Sequence, residues 1–403
     1  MLAFSLLSGC GGSGQSALPA TTNHPLTQDA YIWQRQWTPS LAQAMQVSAS
    51  HIRRWHALAA ELDARGRWTD ITPDWTALKR DGRPLVLTVR IEGQLNVFKE
   101  ADLSAIRQHI SDLLARWRAA GIVVAGLEID HDCASARLPG YASFLGTLRA
   151  ALPAGMSLSI TALPTWLDSP ALDALLALPD EVVLQVHAVL NPRQGLFDPK
   201  RARDWLDKFS RRAQRPWYVA LPTYGTRVAW SPDGRIANIE SESTTLATTA
   251  VMNELVAAPQ TIAGFVAQLE RERPAQLAGI VWFRLPTDED ARAWSLPTWL
   301  AVLQRQALKP DLQLQLQPAP DSVARNVVLI NAGNADIALP RVLRINPAAA
   351  CRSGDGINGY ALESDAQGRY LRRTRDGLLR AGRQRNVGWL NCQQESVALH
   401  VEP

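Results

Sequence analysis

At 403 residues, 46% of them hydrophobic, the chain is long enough for two domains or for one barrel with an appendage, each with its own apolar core. The net charge of +4 is carried mostly by arginines scattered along the chain, with no Lys/Arg run to track a phosphate backbone, which argues against nucleic acid as a partner. Nor does any window supply the roughly 20 apolar residues that a membrane-spanning helix needs. Of 14 tryptophans, all but Trp389 precede residue 300. A flat indole stacks well on apolar sugar faces but is also a large core residue, so only a Trp near a strand end is a binding candidate.

The chain opens MLAFSLLSGCGGSGQS, a short apolar run ending in Leu7-Ser8-Gly9-Cys10 and a Gly/Ser linker. This resembles a bacterial lipobox, in which Cys10 carries the lipid. The basic residues that normally precede such a run are absent here, as expected if translation starts upstream. Residues 1–22 are therefore read as signal, lipobox and linker, and the protein as tethered to a membrane and facing the periplasm.

From residue 23 to 308, short β-like runs alternate with amphipathic stretches. The runs are DAYIWQRQW, IRRWHALAAEL, RPLVLTVRIEG, AGLEIDHDC, MSLSITALPTW, EVVLQVHAVL, RPWYVALPTYG and LAGIVWFRLPT. The second of them reads equally well as a helix. LSAIRQHISDLLARWRAAG is apolar at helical spacing with Gly121 as its stop, and YASFLGTLRAALPAG follows the same pattern. Eight strands alternating with helices predict an α/β fold of the (β/α)₈ or TIM type, a closed parallel barrel with helices outside.

After Leu308 the texture changes. LQLQLQPAP, RNVVLINAGN, LPRVLRIN, YLRRT and SVALHVEP are short alternating runs punctuated by Gly, Asn and Pro, which predict a small antiparallel sandwich over residues 309–403. Besides Cys10 the cysteines are Cys133, Cys351 and Cys392. Three thiols allow three pairings. The pair Cys351–Cys392 is preferred because both lie in the β-rich region, while Cys133 is expected to face the helices and be inert.

The informative segment is GLEIDHDC. Glu128, Asp130 and Asp132 alternate, so on a strand they share one face, and a buried unpaired charge costs several kcal/mol. At the C-terminal end of a barrel strand they would meet a wet cleft, where such barrels carry their chemistry. Glycosidic cleavage needs a carboxylic acid to protonate the leaving oxygen and a second group to stabilise an oxocarbenium-like centre. Crowded carboxylates suit this, because repulsion keeps one of them protonated near neutral pH. Asp132 is read as the acid, Asp130 as its proton-sharing partner and Glu128 as a buried supporter paired with Arg90. Other strand ends offer Arg90, Glu92, Gln185, His187, Tyr224 and Trp282 as substrate-binding candidates. No metal or other cofactor is called for; a metal site built from Glu128, Asp130, His131 and His187 is weakened because His131 should point away from the acids beside it.

AGLEIDHDC also resembles the fourth-strand signature of chitinase-type glycoside hydrolases, Asp-Gly-x-Asp-x-Asp-x-Glu, whose last residue is the proton donor. Ala125 replaces the first acid, Gly126 matches, Glu128 and Asp130 fall on the next two acids, and Asp132 falls on the donor, one methylene short. GIVW, ending in Trp282, resembles the eighth-strand segment whose Trp floors the sugar site. Over most of the barrel the chain further resembles a family of bacterial lipoproteins known only as a domain of unknown function, through AYIWQRQWTP, LTVRIEG, GLEIDHDC, LSITALPTWL, LQVHAV and VALPTYG in order. The resemblances imply a glycoside-hydrolase-like barrel acting on a carbohydrate polymer. A non-catalytic carbohydrate-binding or envelope scaffold protein is the alternative.

Overall fold

The computed structural model describes residues 25–94, 100–187, 196–230, 236–240, 251–290, 292–320, 322–346, 351–392 and 398–402. Among them, eight parallel strands close into a barrel: β1 (Thr27–Ile32), β2 (Trp55–Leu62), β3 (Leu85–Ile91), β4 (Val124–His131), β5 (Ser157–Ala162), β6 (Glu181–Gln185), β7 (Trp217–Pro222) and β8 (Leu277–Phe283). Each strand pairs with its neighbours in chain order, and β1 closes the ring by pairing with both β8 and β2. These are the eight strings read as strands, with helices between them, so the fold is the expected TIM-type barrel with separate antiparallel sheets in its C-terminal region.

Alternation decides the ambiguous second strand. Ala57 and Ala59 join the layer between strands and helices, while His56 and Leu58 face the lumen. An irregularity opposite β3, between Leu58 and Ala60, then inserts one extra residue. Such a bulge reverses the pleat, and it brings Glu61 to the lumen side, 4.0 Å from Arg90, while Leu62 packs outward.

The helix Glu100–Ala119 shows how the outer layer is held. Leu103, Ile106, Ile110, Leu113, Leu114 and Trp117 recur at helical spacing and are all buried, and the segment ends at Gly121, whose φ of +80° favours glycine. Most of the fully buried tryptophans serve this layer: Trp55, Trp117, Trp166, Trp217, Trp282 and Trp299 belong to the strand–helix core. Their abundance is therefore largely a packing feature.

An antiparallel three-stranded sheet, Gly225–Trp230, Ile236–Glu240 and Val251–Val256, is inserted between β7 and β8. Sequence periodicity did not predict it. The barrel core ends with Leu303 and the packed Leu308, and a second core begins with Leu312. Around that second core lie two four-stranded antiparallel sheets. The strands Cys351–Gly356, Tyr360–Asp365 and Gln384–Cys392 within them went unread, because their Gly, Asn and charged residues dilute the alternation. Arg383 meets Asp288 at 2.6 Å, and Arg380 donates to the Asp290 carbonyl at 3.0 Å, linking the C-terminal region to the barrel.

A disulfide joins Cys351 to Cys392 across a separation of 41 residues. Closing a loop of that length removes unfolded-state entropy worth about 4 kcal/mol in the chain-entropy model. The double variant Cys351→Ala/Cys392→Ala should lower the urea stability of the C-terminal region by about that amount. The barrel's own unfolding transition should stay in place, since its core is separate.

Candidate active site

Strand β4 puts Glu128, Asp130 and Asp132 on one face and Leu127, Ile129, His131 and Cys133 on the other, against the helices. Three carboxylates on one face end up in three environments. Glu128 is completely buried in the lumen, where the Thr88 hydroxyl donates to it at 3.1 Å, the Ser159 hydroxyl at 3.4 Å and the His56 ring Nδ1 at 3.0 Å. Asp130 lies one turn of the pleat higher and is also buried, accepting from the Thr161 hydroxyl at 2.6 Å and from the Gln185 amide at 3.3 Å. Asp132 follows the last residue of β4 and is exposed at the mouth.

The end of β4 is fixed by backbone contacts. A Cβ on Gly93 would come within 2.0 Å of the Asp132 carbonyl oxygen, so only glycine lets the β3 loop approach. Arg137 donates to the Gly93 carbonyl at 2.9 Å, and the Trp166 indole donates to the Cys133 carbonyl at 2.8 Å. Buried Cys133 faces the helices, and burial pushes its thiol up to about 11.

Burial raises the proton affinity of Asp130, and the charge of Asp132 adds to it; Arg90 and the Thr161 hydroxyl pull the other way, and the carboxyl ends up at about 7. Asp132 is raised as well, by the protein mass around the mouth and by Glu92, with Arg90 again opposing. Both carboxyls thus hold a proton more tightly than an ordinary aspartate, beside the Arg90 guanidinium. Arg90 was expected to neutralise Glu128; its neighbours are instead Glu61, at 4.0 Å, and the upper two acids. Glu128 is neutralised by His56, which the sequence reading did not single out.

Below Glu128 the lumen carries a ladder of alternating charge. His56 lies between Glu128 and Asp29, whose carboxylate is 3.6 Å from the ring. Asp29 in turn accepts from Arg53 at 2.6 and 3.0 Å and from Arg54 at 3.1 Å, and Arg54 reaches Glu181 at 2.6 Å. Burial alone would strip the proton from His56, but Glu128 and Asp29 hold it, raising the imidazole to about 9. Burial would likewise raise Asp29, yet the nearby charge of His56 and the hydrogen bonds from Arg53 keep it well below the usual carboxylate range. Each charge is matched, as a dry lumen requires.

The remaining predicted residues divide. Gln185 reaches Asp130, as above. His187 is buried, stacks on Phe283 at 5.2 Å between ring centroids and has its Nδ1 3.4 Å from the Tyr224 hydroxyl. Burial depresses His187 to about 4 and raises Tyr224 to about 12, so both are neutral. Trp282 does not floor the site. It is fully buried on the outer side of β8, 6.3 Å from Trp294 and 6.5 Å from Trp299, and donates to Gln28 at 2.7 Å. The pleat gives the lumen side to Phe283, which meets Tyr31, Trp33 and Tyr224 edge-on. Arg284, another residue of that strand end, is engaged by Asp290. His131 turns outward, donating to the Ile91 carbonyl at 3.0 Å and packing edge-on to Tyr141, so it does not converge with Glu128, Asp130 and His187. Among the described residues no group of three His, Cys, Asp or Glu side chains is arranged to hold a metal ion. Cys10 lies outside the described residues.

The model of the family described as a domain of unknown function, DUF3142, matches residues 81–288, just over half of the chain and most of the barrel. The chain belongs to that family. A second domain of unknown function, DUF8456, matches residues 314–393 in the C-terminal region. No curated protein matches the chain. Among solved structures, the fold is similar to the spore cortex-lytic enzyme SleL of Bacillus cereus (TM-score 0.51, 15% identity, covering 72% of this chain and 77% of that one). It is similar also to SleL of Bacillus megaterium QM B1551 (TM-score 0.51, 12% identity, 72% and 77%). A chitinase of Chromobacterium violaceum aligns at TM-score 0.48 and 15% identity over 70% of this chain and all of that one. At such identities the likeness to SleL is one of fold.

Two predictions follow from the charges. His56 titrates near 6.5 when unfolded and near 9 when folded, so its stabilisation is complete below the first value and is lost as pH rises through the second. His56→Ala should cost about 3–5 kcal/mol near pH 6 by leaving Glu128 without its cation, and the deficit measured by urea unfolding should shrink towards about pH 10. For Asp130 the folded state holds the extra proton between 3.8 and about 7, so stability falls as pH rises across that window. Asp130→Asn keeps the acceptor for Thr161 and Gln185. It should gain roughly 2–4 kcal/mol at about pH 8 and nothing below about pH 4.

Proposed function

We propose that this protein is a lipid-tethered, periplasm-facing barrel that binds a carbohydrate polymer of the cell envelope and hydrolyses a glycosidic bond in it. The observation that carries the reading is the pair of carboxyls at the end of β4, Asp130 buried and Asp132 open to the mouth, both with raised proton affinity beside Arg90. A general acid must hold its proton until the leaving oxygen takes it, and this pair can hold one near neutral pH. In the proposed step Asp132 gives that proton to the glycosidic oxygen as the bond to the anomeric carbon breaks, and water supplies the new hydroxyl. Asp130 orients Asp132, and the pair takes back the proton that the attacking water releases as its oxygen bonds to the anomeric carbon, while Glu128, clamped by His56, lies below them. Gln185, His187, Tyr224, Arg90 and Glu92 would hydrogen-bond sugar hydroxyls, and Phe283 takes the stacking role first given to Trp282.

Fold similarity to a spore cortex-lytic enzyme supports an envelope polysaccharide as the polymer. The tether rests on Leu7-Ser8-Gly9-Cys10 with its Gly/Ser linker, and the Cys351–Cys392 disulfide suits an oxidising compartment. No helix among the described residues is long and apolar enough to cross a membrane. One feature favours the second reading, a carbohydrate-binding protein without turnover: an aspartate stands where the chitinase-type signature has its longer glutamate donor.

A polysaccharide panel scored for both binding and new reducing ends separates the two. With a polymer that is cleaved, Asp132→Asn should lower turnover at least about a hundredfold and leave the thermal midpoint within a few degrees of the parent. Unchanged turnover removes Asp132 from the mechanism; binding without released sugar in the parent protein decides for the scaffold.

A further inference from the structure

The one tryptophan beyond residue 300 belongs to neither apolar core. Trp389 lies half-buried on the strand Gln384–Cys392, in the four-stranded sheet formed with Leu312–Pro318, Arg325–Asn331 and Cys351–Gly356. On one side of this sheet Leu312, Leu314, Leu316, Val327, Leu329 and Leu390 fill the sandwich core. Alternation therefore sends Gln313, Gln315 and Gln317, Asn326 and Trp389 to the other side. The pairing register aligns them: Gln317 stands opposite Asn326, Asn326 opposite Trp389, and Trp389 opposite Asp355, one row across all four strands. The glutamines form a second line along the edge strand, with Gln317 donating to Gln315 at 3.4 Å and Gln313 to Asp311 at 3.0 Å.

We propose that this sheet face is a second glycan-binding site, one that takes a neutral polysaccharide strand. An indole offers a stacking surface for a pyranose ring, and amides beside it both donate to and accept from hydroxyl groups. Neighbouring strands lie about 4.8 Å apart and alternate residues on one strand about 7 Å apart, so the row and the line form a flat grid that suits an extended chain rather than a pocketed small molecule. The charge pattern chooses between polymers. Residues 309–403 contain eleven arginines, yet none stands in the row that crosses Trp389 or in the glutamine line. Arg344 and Arg372 are engaged with Asp365 and Glu363 on the other sheet. An acidic polymer would call for guanidinium groups here. Among the described residues, the charges in the row and the line are the carboxylates of Asp355, in the row, and Asp311, at the end of the line. This site goes beyond the barrel reading and stands independently of it.

The test is affinity electrophoresis of the full chain, carrying Cys10→Ser so that no lipid is attached, in native gels cast with hydroxyethyl cellulose, laminarin or glycol chitin, and with alginate as the anionic control. At least one neutral polymer should retard the protein, with an apparent association constant that falls about tenfold or more in Trp389→Ala and stays within about threefold in Trp389→Phe. Gln315→Ala/Gln317→Ala, which alters side chains on the outer face only, should weaken retardation as well and decides the matter if Trp389→Ala does not fold. Retardation by no neutral polymer, by alginate alone, or equally in parent and variants overturns the proposal. Because release of reducing ends is not scored, failure of the barrel as a hydrolase leaves this outcome untouched.

Discussion

A carboxylate sealed inside a β-barrel stays ionised only if a cation lies against it, and in this protein that cation is the imidazolium of His56. Glu128 at 3.0 Å and Asp29 at 3.6 Å hold its proton against the cost of burial, and Arg53 and Arg54 close the ladder towards the N-terminal end of the barrel. The remainder of the lumen follows from that pairing. With the lower acid neutralised from beneath, Arg90 is not consumed by it and stands beside the upper two. A buried ion pair contributes little net stability over an apolar filling, so the ladder is better understood as setting the charge at the floor of the site than as holding the barrel together.

Above this floor the face of β4 grades from dry to wet. Glu128 and Asp130 are buried and hydrogen-bonded, whereas Asp132 opens to solvent. The same side-chain chemistry acquires different proton affinities because surroundings, not residue type, decide which form is favoured. Around the mouth, neutral His187 and Tyr224 and the ring of Phe283 add an uncharged, aromatic wall. Raised carboxyls, the Arg90 guanidinium and an aromatic wall are assembled there from strands far apart in the chain.

The C-terminal region is a different kind of surface. Its two sheets enclose a modest aliphatic core reinforced by one disulfide, and their arginines are largely paired with acids or with backbone carbonyls. Arg380 and Arg383 make polar contacts to the barrel.

Period and punctuation in the sequence were enough to indicate the barrel, seven of its eight strands and the inward face of β4, because side chains two apart on a strand share a side and glycine favours a helix stop; the second strand read equally well as a helix. The small inserted sheet and three strands of the sandwich were not legible, since Gly, Asn and charged residues there interrupt the alternation that marks a strand. Partnership was not legible at all. That Glu128 pairs with His56 and not Arg90 depends on how β2, β3 and β4 are staggered, and that Glu61 faces inward depends on a bulge no composition signals. For Trp282 and Phe283, adjacent in sequence, the pleat of β8 alone assigns one to the helices and the other to the cleft. The chain thus specified which groups are present and on which strands. Closure of the ring decided which of them meet, because contact across a barrel is set by register and not by sequence distance.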